Sequence, residues 1–547
     1  MLTLILISAI VFVAIYGYFW NRSKYFERRG IPGPKPESIW TGNLKTLQLN
    51  KRPISHRILE WEKIYGKTFG YLEGGQKVIA SSDLSVIRDV FINKFVNFHS
   101  RKPIHPFPFN PDTDERANVF TGRGLRWKRF RTLTVPCFAQ SKLRNMQITM
   151  LDTTRRIMDK LEEKVDQEIN IEEVFMESST DVIERIAFGK EESSVGQENK
   201  LMKIIGAFFD PAPYYNHPLL RFYSTLFEFQ DYTFYLHKFL INMLGSPLFV
   251  LAKILVDVIA KRRAQHAERK TSKAQKIDQM NNNEDCNGNA AKSNYEDFVD
   301  LFLNSEASDE DMKAIKASQA SFGNLNKIKI EKKLTDQEII SMCSVMMLAG
   351  VDTTATTMTV VSYCLATHPE IQEKLFSEIN AYIHSEEDIN MDTVNQIDYL
   401  DWCIKEALRV IPIAAPANSR ICMNTCTVGD ENLIFEKDVS FVSNVWSIHH
   451  DKTLWGEDAS SYIPERWDPI EERLPEDSIA YQPFGLGPRS CIGMKFAMLE
   501  MKLMFCHLLK RFRIETTENT KCDVYGLIIT APRVIDIKLR KREVSVQ

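Results

Sequence analysis

The chain has 547 residues and is 44% hydrophobic and 26% charged, an ordinary globular composition that excludes collagen-like, low-complexity and wholly disordered classes. Lys and Arg number 69 against 72 for Asp and Glu, a formal net charge of -3, so no bulk electrostatic pull toward nucleic acid is present and any charge steering is local. The ten cysteines show neither a CxxC pair nor a short disulfide framework, as expected of a reducing compartment.

From Leu2 to Trp20 no residue is charged. As a helix rising about 1.5 Å per residue, this run nearly matches a hydrocarbon core of about 30 Å. A cleaved signal peptide has a basic start, a shorter apolar run and a small-residue exit. This run starts uncharged and closes on Tyr16, Tyr18, Phe19 and Trp20, so residues 1–21 read as a transmembrane signal anchor. Arg22, Lys24, Arg28 and Arg29 follow, opposed only by Glu27; excess cation beside a spanning helix stays cytosolic, which places the body of the protein there. Ile31-Pro32-Gly33-Pro34-Lys35-Pro36 breaks any helix, making residues 22–38 a basic, proline-rich, rigid hinge.

Between Trp40 and Ser100, short apolar runs around Gly74-Gly75, including Lys77 to Ala80, predict a small strand-rich part beside helices. From about Leu125 onward the long periodic segments are helical. Leu151 to Val165 and Ile339 to Ala366 carry apolar residues at spacings of three and four, and Thr335 with Glu338 forms a capping box ahead of the second. That second helix is apolar nearly all round and belongs through the centre of a large core. Leu240 to Ala260 is apolar but interrupted by Gly245, Ser246, Pro247, Lys253 and Asp257, which predicts a buried or membrane-surface helix instead of a span. Residues 271–294, rich in Asn and poor in apolar side chains, predict an exposed loop. Phe208, Phe209, Tyr214, Tyr215, Phe222, Tyr223 and Phe227 form an aromatic cluster as compatible with ordinary core as with a substrate wall.

The decisive stretch is Pro483-Phe484-Gly485-Leu486-Gly487-Pro488-Arg489-Ser490-Cys491-Ile492-Gly493, a glycine-rich turn leading into the helical pattern Met494 to Leu509. Backbone N–H groups at a helix start can hydrogen-bond a sulfur and favour its thiolate, the form that ligates metal. Gly487 and Gly493 would let a flat cofactor approach the backbone. On spacing alone a structural loop competes with a ligand loop. The pattern F-G-x-G-P-R-x-C-x-G resembles the haem-binding signature of the cytochrome P450 superfamily, with the chain closest to microsomal members of the drug- and steroid-oxidising branch and their invertebrate relatives.

The resemblance implies a mainly α fold with a small β-rich part, preceded by one transmembrane helix, with residues 39–547 as the haem-thiolate domain. It implies haem b, with Cys491 as the axial thiolate ligand of the iron. Phe484, Gly487 and Gly493 complete the cofactor loop, and Arg489, Trp127, Arg131, Arg420 and Arg101 become partners of the haem propionates. Glu406 and Arg409, three apart on one helical face, together with Arg466 of Pro464-Glu465-Arg466-Trp467, resemble the family's Glu-Arg-Arg structural triad, Trp467 standing where Phe is usual. In Ala349-Gly350-Val351-Asp352-Thr353-Thr354 the Thr353 hydroxyl can take the carbonyl four residues back and bend the helix. The resemblance instead makes Asp352 and Thr353 the proton relay for dioxygen activation.

The function implied is insertion of one oxygen atom from O2 into an apolar organic substrate that is xenobiotic, steroid or fatty-acid-like. Electrons come from an NADPH-dependent flavoprotein reductase, with cytochrome b5 as a further donor, at the cytosolic face of the endoplasmic reticulum membrane. Lys128 and Arg129, projecting beside the thiolate face, would dock an acidic electron donor. Two alternatives are a haem-thiolate isomerase or dehydratase, disfavoured by the intact Asp352-Thr353 pair, and a non-catalytic haem sensor.

Overall fold

The computed structural model describes the chain apart from residues 49–52, 104–109, 210–217, 230–231, 233–234, 237–238, 240–246, 281–296, 323–330, 472–477, 527–528, 533 and 543–547. The helices that matter for the site are, in chain order, α1 (Leu2–Ser23), α2 (Ile54–Tyr65), α3 (Gly124–Thr134), α4 (Gln140–Glu162), α5 (Ile171–Phe188), α6 (Lys200–Phe209), α7 (Pro218–Thr225), α8 (Pro247–Met280), α9 (Asp336–Thr367), α10 (Asp398–Val410) and α11 (Met494–Arg511). The strands of the two larger sheets are β1 (Thr68–Glu73), β2 (Gln76–Ser81), β3 (Glu168–Asn170), β4 (Ser419–Ile421), β5 (Ser440–Ser443), β6 (Phe512–Thr516) and β7 (Asp536–Lys541). The chain is mainly helical with small sheets, as the sequence predicts.

α9 forms the axis. Thr335 accepts from the Glu338 N–H while Glu338 accepts from the Thr335 N–H, the reciprocal cap expected from the sequence. Both α1 and α9 are long and apolar enough to cross a membrane, and burial separates them. The most apolar window of α9 is 72% buried inside the protein, that of α1 only 6%. α9 packs most extensively along α5 and also touches α6, α8, α10, α11 and β6, so its all-round apolar surface is spent on one large core.

β1 and β2 form a hairpin turning at Gly74, where φ is 62°. β2 continues in parallel to β5, and β4 closes the sheet against β5 antiparallel, with Arg420 opposite Phe441. This places Arg420 from the C-terminal half beside the N-terminal sheet. A second sheet has the order β3-β7-β6 and packs near the C-terminus of α9.

The segment after α1 lies against the domain. Tyr25 and Phe26 are buried in a core cluster with Leu72 and Phe441, and the Pro32 carbonyl accepts the Gly70 N–H at 2.8 Å. α8 buries Leu251, Leu255 and Ile259 and leaves Val250, Ile254 and Val256 exposed. It runs on to Met280, so the first part of the stretch expected as an exposed loop, 271–280, is helical; residues 281–294 lie outside the described residues, as do Tyr214 and Tyr215. Low apolar content predicts the loop, but Lys, Gln, Ala and Met of this stretch are good helix formers, and they continue a helix already nucleated by the apolar turns upstream.

Candidate active site

The Cys491 loop is built by backbone geometry. Gly485 and Gly487 hold left-handed φ of 73° and 65°, and the turn closes when Phe484 accepts the Cys491 N–H at 2.8 Å. A Cβ at Gly487 would stand 2.1 Å from the Phe91 carbonyl oxygen, so this glycine lets the helical turn around Phe91 approach the loop. At Gly493 the nearest atom to such a Cβ is on Phe138, 3.9 Å away, which leaves the backbone open. Cys491 is the exposed one among the described cysteines. Burial raises its thiol; the N–H groups of Gly493 and Met494 and the charges of Arg101 and Arg131 work in the opposite direction.

Arg101 and Arg131 act on the thiol directly, and Arg420 and Arg489 gather with them. Arg489 is buried, stacks 4.8 Å over Trp127 and donates to the carbonyls of Phe120 (3.1 Å) and Gly122. Arg420 is buried, lies 4.4 Å over Phe91 and donates to Ser419. Arg101 stacks 4.3 Å over Phe120 and donates to the carbonyls of Ala417 at 2.6 Å and Arg489 at 3.1 Å. Arg131 of α3 donates to the Ser490 carbonyl at 2.7 Å, fastening that helix to the thiol loop. Burial and the other arginines lower the pKa of Arg489 and Arg420, and burial lowers Arg101 to about 10. Among the described residues none of the four has a carboxylate within ion-pair distance, and Nε of Arg101, Arg420 and Arg489 has no hydrogen-bond partner.

Buried like charges without an anion are costly. The two carboxylates of haem b are the counter-charge this donor set fits, with unused N–H groups available to receive them. His99, which sequence reasoning missed, borders the cluster: its Nδ1 accepts the Gly124 N–H at 3.0 Å, and burial, then Arg489 and Arg123, push its pKa down to about 3, so it adds no further cation. The aromatic beds Phe91 and Phe120 were missed too; neither stands near its arginine in sequence, so no local pattern could reveal them.

On α9, Asp352 is fully buried and Thr353 partly so. The Thr353 hydroxyl donates to the Ala349 carbonyl, and Thr357 to the Thr353 carbonyl at 2.8 Å. The helix is nevertheless continuous through this stretch. A Cβ on Gly350 would stand 2.8 Å from Ile183 Cδ1, so that glycine lets α5 approach closely.

Glu406, Arg409 and Arg466 come together with no exposure at all. Arg409 grips the carboxylate through Nε at 2.9 Å and Nη2 at 2.7 Å, and Arg466 approaches through Nε at 3.3 Å. The guanidinium groups also donate to the carbonyls of His449, Ala459, Ser461 and Trp455, tying α10 to the loop that precedes the Cys491 turn.

Arg129 does not project as a docking charge. It is buried, pairs with Glu338 at 2.9 Å and donates to the carbonyls of Glu331 and Lys333, because its face of α3 meets the N-terminus of α9. Lys128 is partly exposed, with Nζ donating to the Ala314 carbonyl at 3.0 Å and to Ser318.

Residues 32–539 match the Cytochrome P450 family. The chain belongs to the cytochrome P450 superfamily. It is 34% identical over 545 residues to a Caenorhabditis elegans protein named "Putative cytochrome P450 CYP13A8", covering 98% of this chain and 99% of that one. It is 33% identical to the same organism's "Putative cytochrome P450 CYP13A10", covering 97% of both chains. As a cytochrome P450 monooxygenase, the protein uses a haem b held by a cysteine thiolate.

Proposed function

We propose that this cytochrome P450 is a membrane-anchored monooxygenase of the cytosolic face of the endoplasmic reticulum, acting on an apolar xenobiotic, steroid or fatty-acid-like substrate with electrons from an NADPH-dependent flavoprotein reductase and from cytochrome b5. Cys491 would hold the haem iron through its thiolate, and the observation that carries the assignment is the set of four arginines gathered around that thiol's loop without a carboxylate partner among the described residues. α1 supports the anchor, being 22 residues long, apolar, nearly unburied and followed by Lys24, Arg28 and Arg29.

Bound haem supplies dioxygen activation and oxygen transfer. The Gly493 and Met494 N–H groups, with Arg101 and Arg131, favour the thiolate at Cys491. Arg101, Arg131, Arg420 and Arg489, with Trp127, orient the cofactor through its carboxylates. Thr353 Oγ1 carries a proton it can release toward the cleft when it exchanges its bond to the Ala349 carbonyl, and Asp352, buried one residue before, returns one.

The test is the carbon monoxide difference spectrum of the reduced protein, followed by turnover of apolar substrates with reductase and NADPH. A thiolate-type spectrum in the wild type and its loss in Cys491→Ala are expected. A thiolate-type spectrum persisting in Cys491→Ala would move the ligand elsewhere, and product formed without reductase or O2 would replace monooxygenation by isomerisation or dehydration.

A further inference from the structure

Arg22 stands where the apolar helix meets the folded domain. Its side chain is only 3% exposed, whereas most of α1 ahead of it, and Arg28 and Arg29 after it, stand in the open. Nη1 donates to the Thr225 carbonyl and Nη2 to the Trp40 carbonyl, both at 2.7 Å. The guanidinium lies 4.4 Å over Phe19, and the Glu228 carboxylate is 3.9 Å away. Thr225 ends α7, and a cation there meets carbonyls that have no partner within the helix and the negative end of its dipole.

The same helix end is also held by the β1–β2 turn, right beside Arg22. The Gly75 N–H in the β1–β2 turn donates to the Ser224 carbonyl at 2.8 Å, and a Cβ at Gly75 would stand 2.8 Å from the Thr225 oxygen and 2.9 Å from Arg22 Nη1. Phe19 packs on Trp40 at 4.6 Å, Tyr18 donates to Glu228, and Lys77 pairs with Glu228 at 2.8 Å.

Arg28 reaches Asn21 and Arg29 pairs with Glu436 at the surface, both side chains staying exposed, whereas Arg22 is buried on backbone carbonyls of two other segments. We propose that Arg22 is a latch: it docks the foot of α1 onto the C-terminus of α7 and the β1–β2 turn, so that the helix itself, and not only the segment after it, is fixed to the catalytic domain and the two move as one body. The latch rests on the reading of α1 as a membrane anchor, and its test keeps the two apart.

The full-length holoenzyme is placed in phosphatidylcholine bilayer discs, and two signals are followed: trypsin cleavage at Lys24, Arg28 and Arg29, and hydrogen exchange over residues 75 and 218–229. Arg22→Ala and Gly75→Ala, which break the junction from the helix and from the turn, are expected to raise cleavage and exchange by about tenfold or more through local opening, with the carbon monoxide spectrum unchanged. Arg22→Lys keeps the charge but offers one nitrogen in place of the two that reach Thr225 and Trp40 separately and loses the planar stack on Phe19, so it is expected to raise both signals in the same direction as Arg22→Ala, by less. Wild-type cleavage rates in Gly75→Ala or Arg22→Lys would overturn the latch, and these two decide the matter should Arg22→Ala fail to load haem. Alkaline carbonate extraction is run in parallel: release of the wild type would overturn the anchor, while the cleavage comparison still decides the latch.

Discussion

Trp467 donates its indole N–H to Glu406 Oε2 at 3.0 Å, at the position where the superfamily usually carries Phe. The Glu406 carboxylate thereby receives Trp467 as well as Arg409, Arg466 and the Ile463 N–H. The aromatic body of Trp467 packs on Tyr481 at 4.5 Å, so the ring fills core as Phe would and its N–H adds a bond to a buried charge. Trp467→Phe should lower stability by about 1.5–3 kcal/mol, the range for a hydrogen bond to a charged group, with haem content unchanged. Thermal unfolding of the holoenzyme measures this, and an unchanged midpoint would assign the indole N–H no energetic role.

Thr353→Ala should leave haem loading intact, because the hydroxyl is bonded only within α9 and the helix is continuous without it. It should raise hydrogen peroxide formed per NADPH consumed and cut product formation at least tenfold, against the roughly 10²–10⁴ that a positioned proton donor contributes. Thr353→Ser, which keeps the hydroxyl, should recover most of the coupling. Equal peroxide yield in all three proteins would leave Thr353 as a helix residue alone.

Glu500 of α11 is buried against α5, its Oε1 accepting from Ser179 at 2.7 Å, and burial lifts its pKa from 4.5 to about 7. Between those two values the native state holds a proton that the unfolded chain has released, so stability falls as pH rises from about 4.5 to 7 and is level above. Glu500→Gln should remove that fall, which is on the order of 3 kcal/mol at most. Denaturant midpoints at pH 5 and pH 8 test it: the difference between the two pH values should shrink in the variant, and an unchanged difference would mean that Glu500 does not titrate in this window.

Deleting residues 1–21 should convert the protein from resistant to alkaline carbonate to extractable while its carbon monoxide spectrum persists, since the Cys491 loop and the four arginines lie wholly outside α1. The exposed Val250, Ile254 and Val256 of α8 leave apolar surface for peripheral association, which carbonate strips. Full carbonate resistance after the deletion would require a second spanning segment.

The elements readable in the sequence are those whose physics is local. The Thr335–Glu338 cap, the turn at Gly74 and the apolar stripe of α9 depend on neighbours within a few residues, and the structure carries all three. The 271–280 stretch was misread because low apolar content is shared by loops and solvated helices.

The resemblance carried by the ten-residue loop around Cys491 was enough to point to the superfamily, and the apolar spacing of Ile339 to Ala366 to the central helix, because each is a short-range pattern. Only the tertiary structure decided what the charged residues do. Arg22 and Arg129 look alike in sequence, two cations among cations, yet each is buried on carbonyls of a distant segment; Arg101, Arg131, Arg420 and Arg489, spread over almost four hundred positions, meet around one thiol's loop. A guanidinium's role follows from which carbonyls, rings and anions the fold brings to it, and that depends on long-range packing no local spacing records.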